Sequence, residues 1–125
     1  MTRSILALLL LCSPAAAGTI SGPATVIDGD TIEVHGTRIN LYGIDAPETA
    51  QSCQTVTGQE YRCGREAAQA LSAHIGSGAV TCERREGAVA GGIAGLCLAH
   101  GEDLSAWMVA KGYALASRQV TSAYT

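Results

Sequence analysis

The sequence contains no phenylalanine, only three prolines and few aromatic residues of any kind, at 4%. Its core must therefore be built from alanine, valine, isoleucine and leucine. Charged residues are also scarce, at 15%, while 47% of the chain is hydrophobic, which excludes a disordered tail. No apolar run reaches the roughly 20 residues that span a bilayer, so a transmembrane helix is excluded as well. The formal net charge is −3, and no basic excess announces a nucleic-acid binder. There is no internal repeat and no linker, and 125 residues are one domain's worth of chain.

What the chain does hold is five cysteines, an odd count for its length. Met1-Thr2-Arg3 is a short basic start, Ile5 to Leu11 is an unbroken apolar run, and Ala15-Ala16-Ala17 supplies small residues for cleavage. This is the layout of a secretory signal peptide over residues 1–17, leaving residues 18–125 as a secreted or periplasmic domain. Leu11 before Cys12 is too bulky for a lipoprotein anchor, so no stable membrane association is expected. Cleavage near Ala17 removes Arg3 and Cys12. Seven basic residues then face eleven acidic ones, a balance of −4, and Cys53, Cys63, Cys82 and Cys97 remain. In an oxidising compartment these four read as two disulfides with three possible connectivities. Neither sequence-local pair has Cys-x-x-Cys spacing and the three histidines are scattered, so structural zinc is not expected. Local pairing, Cys53–Cys63 and Cys82–Cys97, is the preferred arrangement, each bond contributing about 2–3 kcal/mol on the loop-entropy argument.

From Thr25 onward the pattern has period two. Asp28-Gly29 reads as a hairpin dipeptide, and Thr31–Val34 resumes the alternation up to a second turn at His35-Gly36. A third strand over Arg38–Tyr42 runs into Gly43-Ile44-Asp45-Ala46-Pro47-Glu48, where Pro47 ends regular pairing. Between Gly64 and Ile75 the residues Ala67, Ala70, Leu71, His74 and Ile75 fall at helical spacing, and Gly76 supplies the stop. Strands follow at Ala79–Cys82 and Ile93–Leu98. Asp103 caps a second helix carrying Leu104, Trp107 and Met108 on one side, and a short strand at Tyr113–Ser117 ends the set. Short strands with two helices among them predict a mainly β fold, a small five-stranded OB-fold barrel.

Asp30, Asp45 and Glu48 are the informative cluster. If the first and third strands are neighbours, the three carboxylates meet at one edge, where oxygen ligands suit a hard cation such as Ca²⁺. Arg38, near the start of the third strand, adds a bidentate phosphate clamp. Cation, carboxylate base and arginine together are the parts of a phosphoryl-transfer site. On spacing alone, a common Asp-Gly turn, a plain loop and an ordinary strand arginine account for the same residues.

Val26-Ile27-Asp28-Gly29-Asp30-Thr31, followed by Arg38-Ile39-Asn40-Leu41-Tyr42-Gly43-Ile44-Asp45-Ala46-Pro47-Glu48, resembles the signature of the staphylococcal nuclease (thermonuclease) family. The likeness continues through Gln51, Cys53, Tyr61-Arg62-Cys63-Gly64, Gly101–Leu104, Ala106–Val109 and Gly112–Ala116, nearly the whole of residues 18–125. The resemblance implies an OB-fold barrel and Ca²⁺-dependent hydrolysis of DNA and RNA, with single strands preferred and the protein a monomer. It supports the local cysteine pairing too. Residue by residue, it implies that Asp30, Asp45 and the backbone carbonyl of Ala46 hold Ca²⁺. Glu48 would act as general base toward water, and Arg38 would bind phosphate.

Two departures from the family pattern bear on turnover. The family carries Asp-x-Tyr-Gly-Arg where this chain reads Ala88-Val89-Ala90-Gly91-Gly92, so Gly92 occupies the position of a second phosphate-binding arginine. Losing such a cation costs on the order of 10³-fold by analogy with arginine fingers, unless Arg84 or Arg85 reaches the site. Family members also continue into a C-terminal helix beyond the point matching Thr125, so a truncated product is among the readings. The expectation is a secreted Ca²⁺-dependent nuclease with impaired turnover. The alternative is a catalytically inactive OB-fold module that binds single-stranded nucleic acid or another partner.

Overall fold

In a computed structural model the described residues are 18–89, 91–117 and 123–124. The expected signal peptide and Ala90 lie outside them. Twelve elements are described, beginning with β1 (Thr19–Asp28), β2 (Thr31–Val34), β3 (Thr37–Leu41), β4 (Ile44–Asp45), β5 (Cys53–Gln54) and β6 (Glu60–Tyr61). They continue with α1 (Cys63–Ile75), β7 (Ala79–Val89), β8 (Gly92–Ala99), β9 (Glu102–Asp103), α2 (Leu104–Ala110) and β10 (Leu115–Ala116).

Alternation builds the barrel. Ile32 and Val34 on β2, and Ile39 and Leu41 on β3, point inward and are buried, while Glu33 and Arg38 face out as register partners. Sheet order β3-β2-β1-β7-β8-β9 is antiparallel throughout, and β8 returns to pair in parallel with β3 from Ile39↔Ile93 to Leu41↔Gly95. That last pairing closes a five-stranded barrel, so no long edge is left open. The fold is the expected mainly β, OB-type barrel with two helices.

Two His-Gly pairs make the tight corners. His35-Gly36 joins β2 to β3 and His100-Gly101 joins β8 to β9, with positive φ at all four residues, as a type I′ turn requires. Ala67, Leu71 and Ile75 of α1 and Leu104 and Met108 of α2 seal the barrel interior. Asp103 caps α2 by accepting from the backbone N–H of Ser105 at 2.9 Å and of Ala106 at 3.3 Å.

Both disulfides pair as expected. Cys82 and Cys97 are opposed register partners on β7 and β8, buried in the core, and Cys53–Cys63 ties the β5–β6 hairpin to the start of α1. Two bonds of this kind mark an extracytoplasmic domain. Among the described residues no helix is long and apolar enough to cross a membrane.

The last strand is Leu115–Ala116 rather than Tyr113–Ser117, and three larger departures from expectation lie at the first turn and in β1 and β7. β1 starts at Thr19 rather than Thr25, and β7 runs to Val89 rather than ending at Cys82. The first turn is Gly29-Asp30 and not Asp28-Gly29, because Asp28 still pairs with Thr31.

Candidate active site

The turn between β1 and β2 carries Asp30, and its surroundings explain the Gly29 before it. A Cβ on Gly29 would lie 2.8 Å from the Cβ of Ala67 and 3.0 Å from that of Ala46, so only glycine lets the turn sit between α1 and the loop after β4. Asp30 is tied to the third strand through its carbonyl, which accepts from the N–H of Leu41 at 2.7 Å. Its carboxylate takes a hydrogen bond from the Thr31 hydroxyl at 2.9 Å and from the backbone N–H of Ala46 at 3.0 Å.

The loop from Asp45 to Thr49 is therefore held at its start by Asp30. Its far end is held by Asp28, whose carboxylate accepts the N–H of Thr49 at 2.8 Å and the Thr49 hydroxyl, while that hydroxyl also donates to the Ile27 carbonyl at 2.7 Å. The carbonyl of Glu48 accepts from Gln51 N–H at 2.8 Å and packs so closely on Gly64 that any Cβ there would run into it. Asp28, Thr49, Gly29 and Gly64 are positioning residues that sequence reasoning did not assign. The signal was present in the Asp-Gly-Asp run, but Asp28 read as a turn former rather than a latch.

Asp30, Asp45 and Ala46 thus share one end of the barrel, with Glu48 exposed on the same loop. Arg38 is exposed on β3, three residues from Leu41, about 10 Å up the strand from Asp30 by strand rise. Burial pushes the Asp30 carboxyl above its usual range; the bonds from Ala46 and Thr31 oppose this, and the charges of Asp28 and Asp45 add to it. Among the described residues no basic side chain pairs with Asp30. A half-buried carboxylate crowded by two others and lacking a counter-charge is a setting that a hard cation relieves. The donor set fits such a cation only with backbone carbonyl and water, since no three carboxylate, histidine or cysteine side chains gather into a cage among the described residues.

Gly92 begins β8 directly against Arg38. A Cβ there would run into the Arg38 carbonyl oxygen and lie 3.1 Å from its Cβ. Arg84 and Arg85 line, with Gly92 and Ile93, an open groove of about 580 Å³, and Arg85 is paired to Glu83 at 2.9 Å.

Residues 38–125 match the family described as staphylococcal nuclease homologue. The chain belongs to this family. Arg38, Asp45, Ala46 and Glu48 fall inside the matched stretch and Asp30 precedes it. A relative, the succinoglycan biosynthesis protein ExoI of Rhizobium meliloti (strain 1021), is 43% identical over 115 residues, covering 90% of this chain. The chain spans about 60% of the length of that curated relative. Membership sets the barrel among nuclease-like or nucleic-acid-binding proteins.

Proposed function

We propose that the chain is an extracytoplasmic, Ca²⁺-dependent phosphodiesterase acting on DNA or RNA, with single strands preferred and turnover reduced by the missing arginine. The observation that carries this reading is the pinned Asp45–Glu48 loop, fastened to Asp30 at one end and Asp28 at the other. That fastening supports a site at this end of the barrel, because it holds the loop bearing Asp45, Ala46 and Glu48 against the turn that carries Asp30. Asp30, Asp45 and the Ala46 carbonyl would hold Ca²⁺, which when bound supplies Lewis-acid polarisation of a phosphoryl oxygen. Glu48, exposed on the loop, takes the proton of the attacking water, and Arg38 donates to the phosphate oxygens as negative charge grows on them.

Gly92 favours a second reading, a module that binds single strands without cutting them, because a transition-state cation is absent where the family pattern has one. The relative's name ties that protein to succinoglycan biosynthesis and gives no support to either reading over the other.

Cleavage of single-stranded DNA by the purified chain separates them. The hydrolytic reading expects cleavage with Ca²⁺, none with a chelator, and a 10²–10⁴-fold fall in kcat for Glu48→Gln. It also expects Ca²⁺ to raise Tm in the native chain and not in Asp30→Asn. Equal cleavage by Glu48→Gln and the native chain removes Glu48 from the mechanism, and binding with no cleavage leaves the second reading.

A further inference from the structure

A groove of about 580 Å³ opens beside Asp45, Ala46 and Pro47, between the β5–β6 hairpin and the segment Gly112–Leu115. Tyr61, Tyr113 and the exposed Leu115 are among the residues that line it. Leu115 is 77% exposed and Tyr61 39%, so two of the four large hydrophobics exposed among the described residues border this one groove. Apolar surface concentrated in this way marks a contact for something other than water.

Both tyrosines sit on braced backbone. Tyr61 is the register partner of Cys53, whose disulfide to Cys63 anchors the hairpin on α1. Tyr113 donates its N–H to Met108 at 2.9 Å, and its ring lies 6.1 Å from Trp107, which stacks on His74 at 3.9 Å. Leu115 is the register partner of Asp45, so this apolar residue adjoins the candidate cation carboxylate. On the nucleic-acid reading above, a ligand that spans both joins a phosphate to a flat, uncharged ring. Glu66 also lines the groove, and its carboxylate can accept a hydrogen bond from an amino group.

We propose that this groove is a base-stacking subsite for the strand whose phosphate lies at the Asp45–Glu48 loop. Tyr61 is its platform, and Glu66 favours bases with an exocyclic amino group over thymine and uracil. The proposal rests on the nucleic-acid reading above and adds the part of the substrate that reading leaves unassigned. Stacking on an aromatic ring is worth ~1–3 kcal/mol per base and tolerates any sequence, whereas a carboxylate acceptor discriminates the amino group of cytosine from the carbonyl of uracil.

The test measures equilibrium binding of labelled dC and dU hexanucleotides in Ca²⁺, in a Glu48→Gln background to suppress cleavage. Tyr61→Ala is expected to weaken both about tenfold and Tyr61→Phe to weaken neither. A dC preference of about fivefold is expected and is lost in Glu66→Ala. Should Tyr61→Ala lower Tm, Leu115→Ser in the same groove carries the same expectation of weakened binding to both. Unchanged affinities in Tyr61→Ala, Leu115→Ser and Glu66→Ala, alongside cleavage by the native chain, overturn the groove and leave the hydrolytic reading standing. The expected losses without cleavage by the native chain support the subsite and sink hydrolysis. Neither binding nor cleavage overturns both.

Discussion

By the resemblance read from the sequence, Gly92 stands where the family pattern has an arginine, and at this position a Cβ would run into the backbone of Arg38. Its neighbour is the backbone carbonyl of Arg38 in the parallel β3–β8 seam, an atom that cannot rotate aside as a side-chain tip does. Gly95 repeats the device, since a Cβ there would lie 2.9 Å from the Cγ2 of Ile39. The two glycines let β8 close on β3. Gly92→Ala is therefore expected to destabilise the chain by about 1–3 kcal/mol, read as a lower urea midpoint at unchanged slope. Gly92→Arg, the obvious restoration, is expected to lose stability and gain no cleavage. A midpoint equal to native would mean that the seam yields. None of this was legible beforehand. The motif located Arg38 and Gly92 separately, but their contact depends on a parallel pairing between residues 54 positions apart, which no local pattern encodes.

At the level of elements, legibility followed local periodicity. Ala67, Leu71 and Ile75 fell at helical spacing and are the buried face of α1, and Asp103 read as a cap because its side chain acts within three residues. β1 was missed over Thr19–Ala24 because Gly22 and Pro23 argue against a strand. There, Pro23 takes the last pairing position on the β7 side, just before pairing to β2 begins at Ala24. β7 was cut short because Glu83–Glu86 are all charged, which hides the strand that β8 supports. The two disulfides divide along the same line. Loop entropy alone gives each about 3 kcal/mol, since their sequence separations are 10 and 15. Their settings differ: Cys82–Cys97 bridges buried register partners, whereas residues 54–62 of the other loop are all exposed. Replacing Cys82 and Cys97 by alanine is expected to lower the global Tm strongly. Replacing Cys53 and Cys63 should lower it less while opening residues 54–62 to proteolysis. Equal Tm losses with no new cleavage would show that the hairpin unfolds only with the barrel.

For the molecule as a whole, a net charge of −3 means that, on the proposed reading, attraction to a polyanion would be local, carried by Arg38 and a bound cation against an otherwise unfavourable field. The same acidity serves the architecture at Asp103, which joins two distant parts of the chain. One carboxylate oxygen caps α2, and the other accepts the Tyr124 hydroxyl at 2.8 Å, so Tyr124 is fastened to the helix that seals the barrel. Burial first, then the bond to Asp103 and its charge, push the Tyr124 phenol up to about 12. Because the folded value lies above the ordinary 10.0, the neutral phenol stabilises the fold. That contribution is complete below pH 10 and is lost as pH rises from about 10 to about 12. Tyr124→Phe is expected to cost about 1 kcal/mol at pH 8, the worth of the hydrogen bond. The gap between native and variant should then shrink across that alkaline window, followed by urea unfolding at successive pH values. A gap that stays constant from pH 8 to 12 would mean that the phenol does not meet Asp103 in solution, and that the cap on α2 is satisfied without Tyr124.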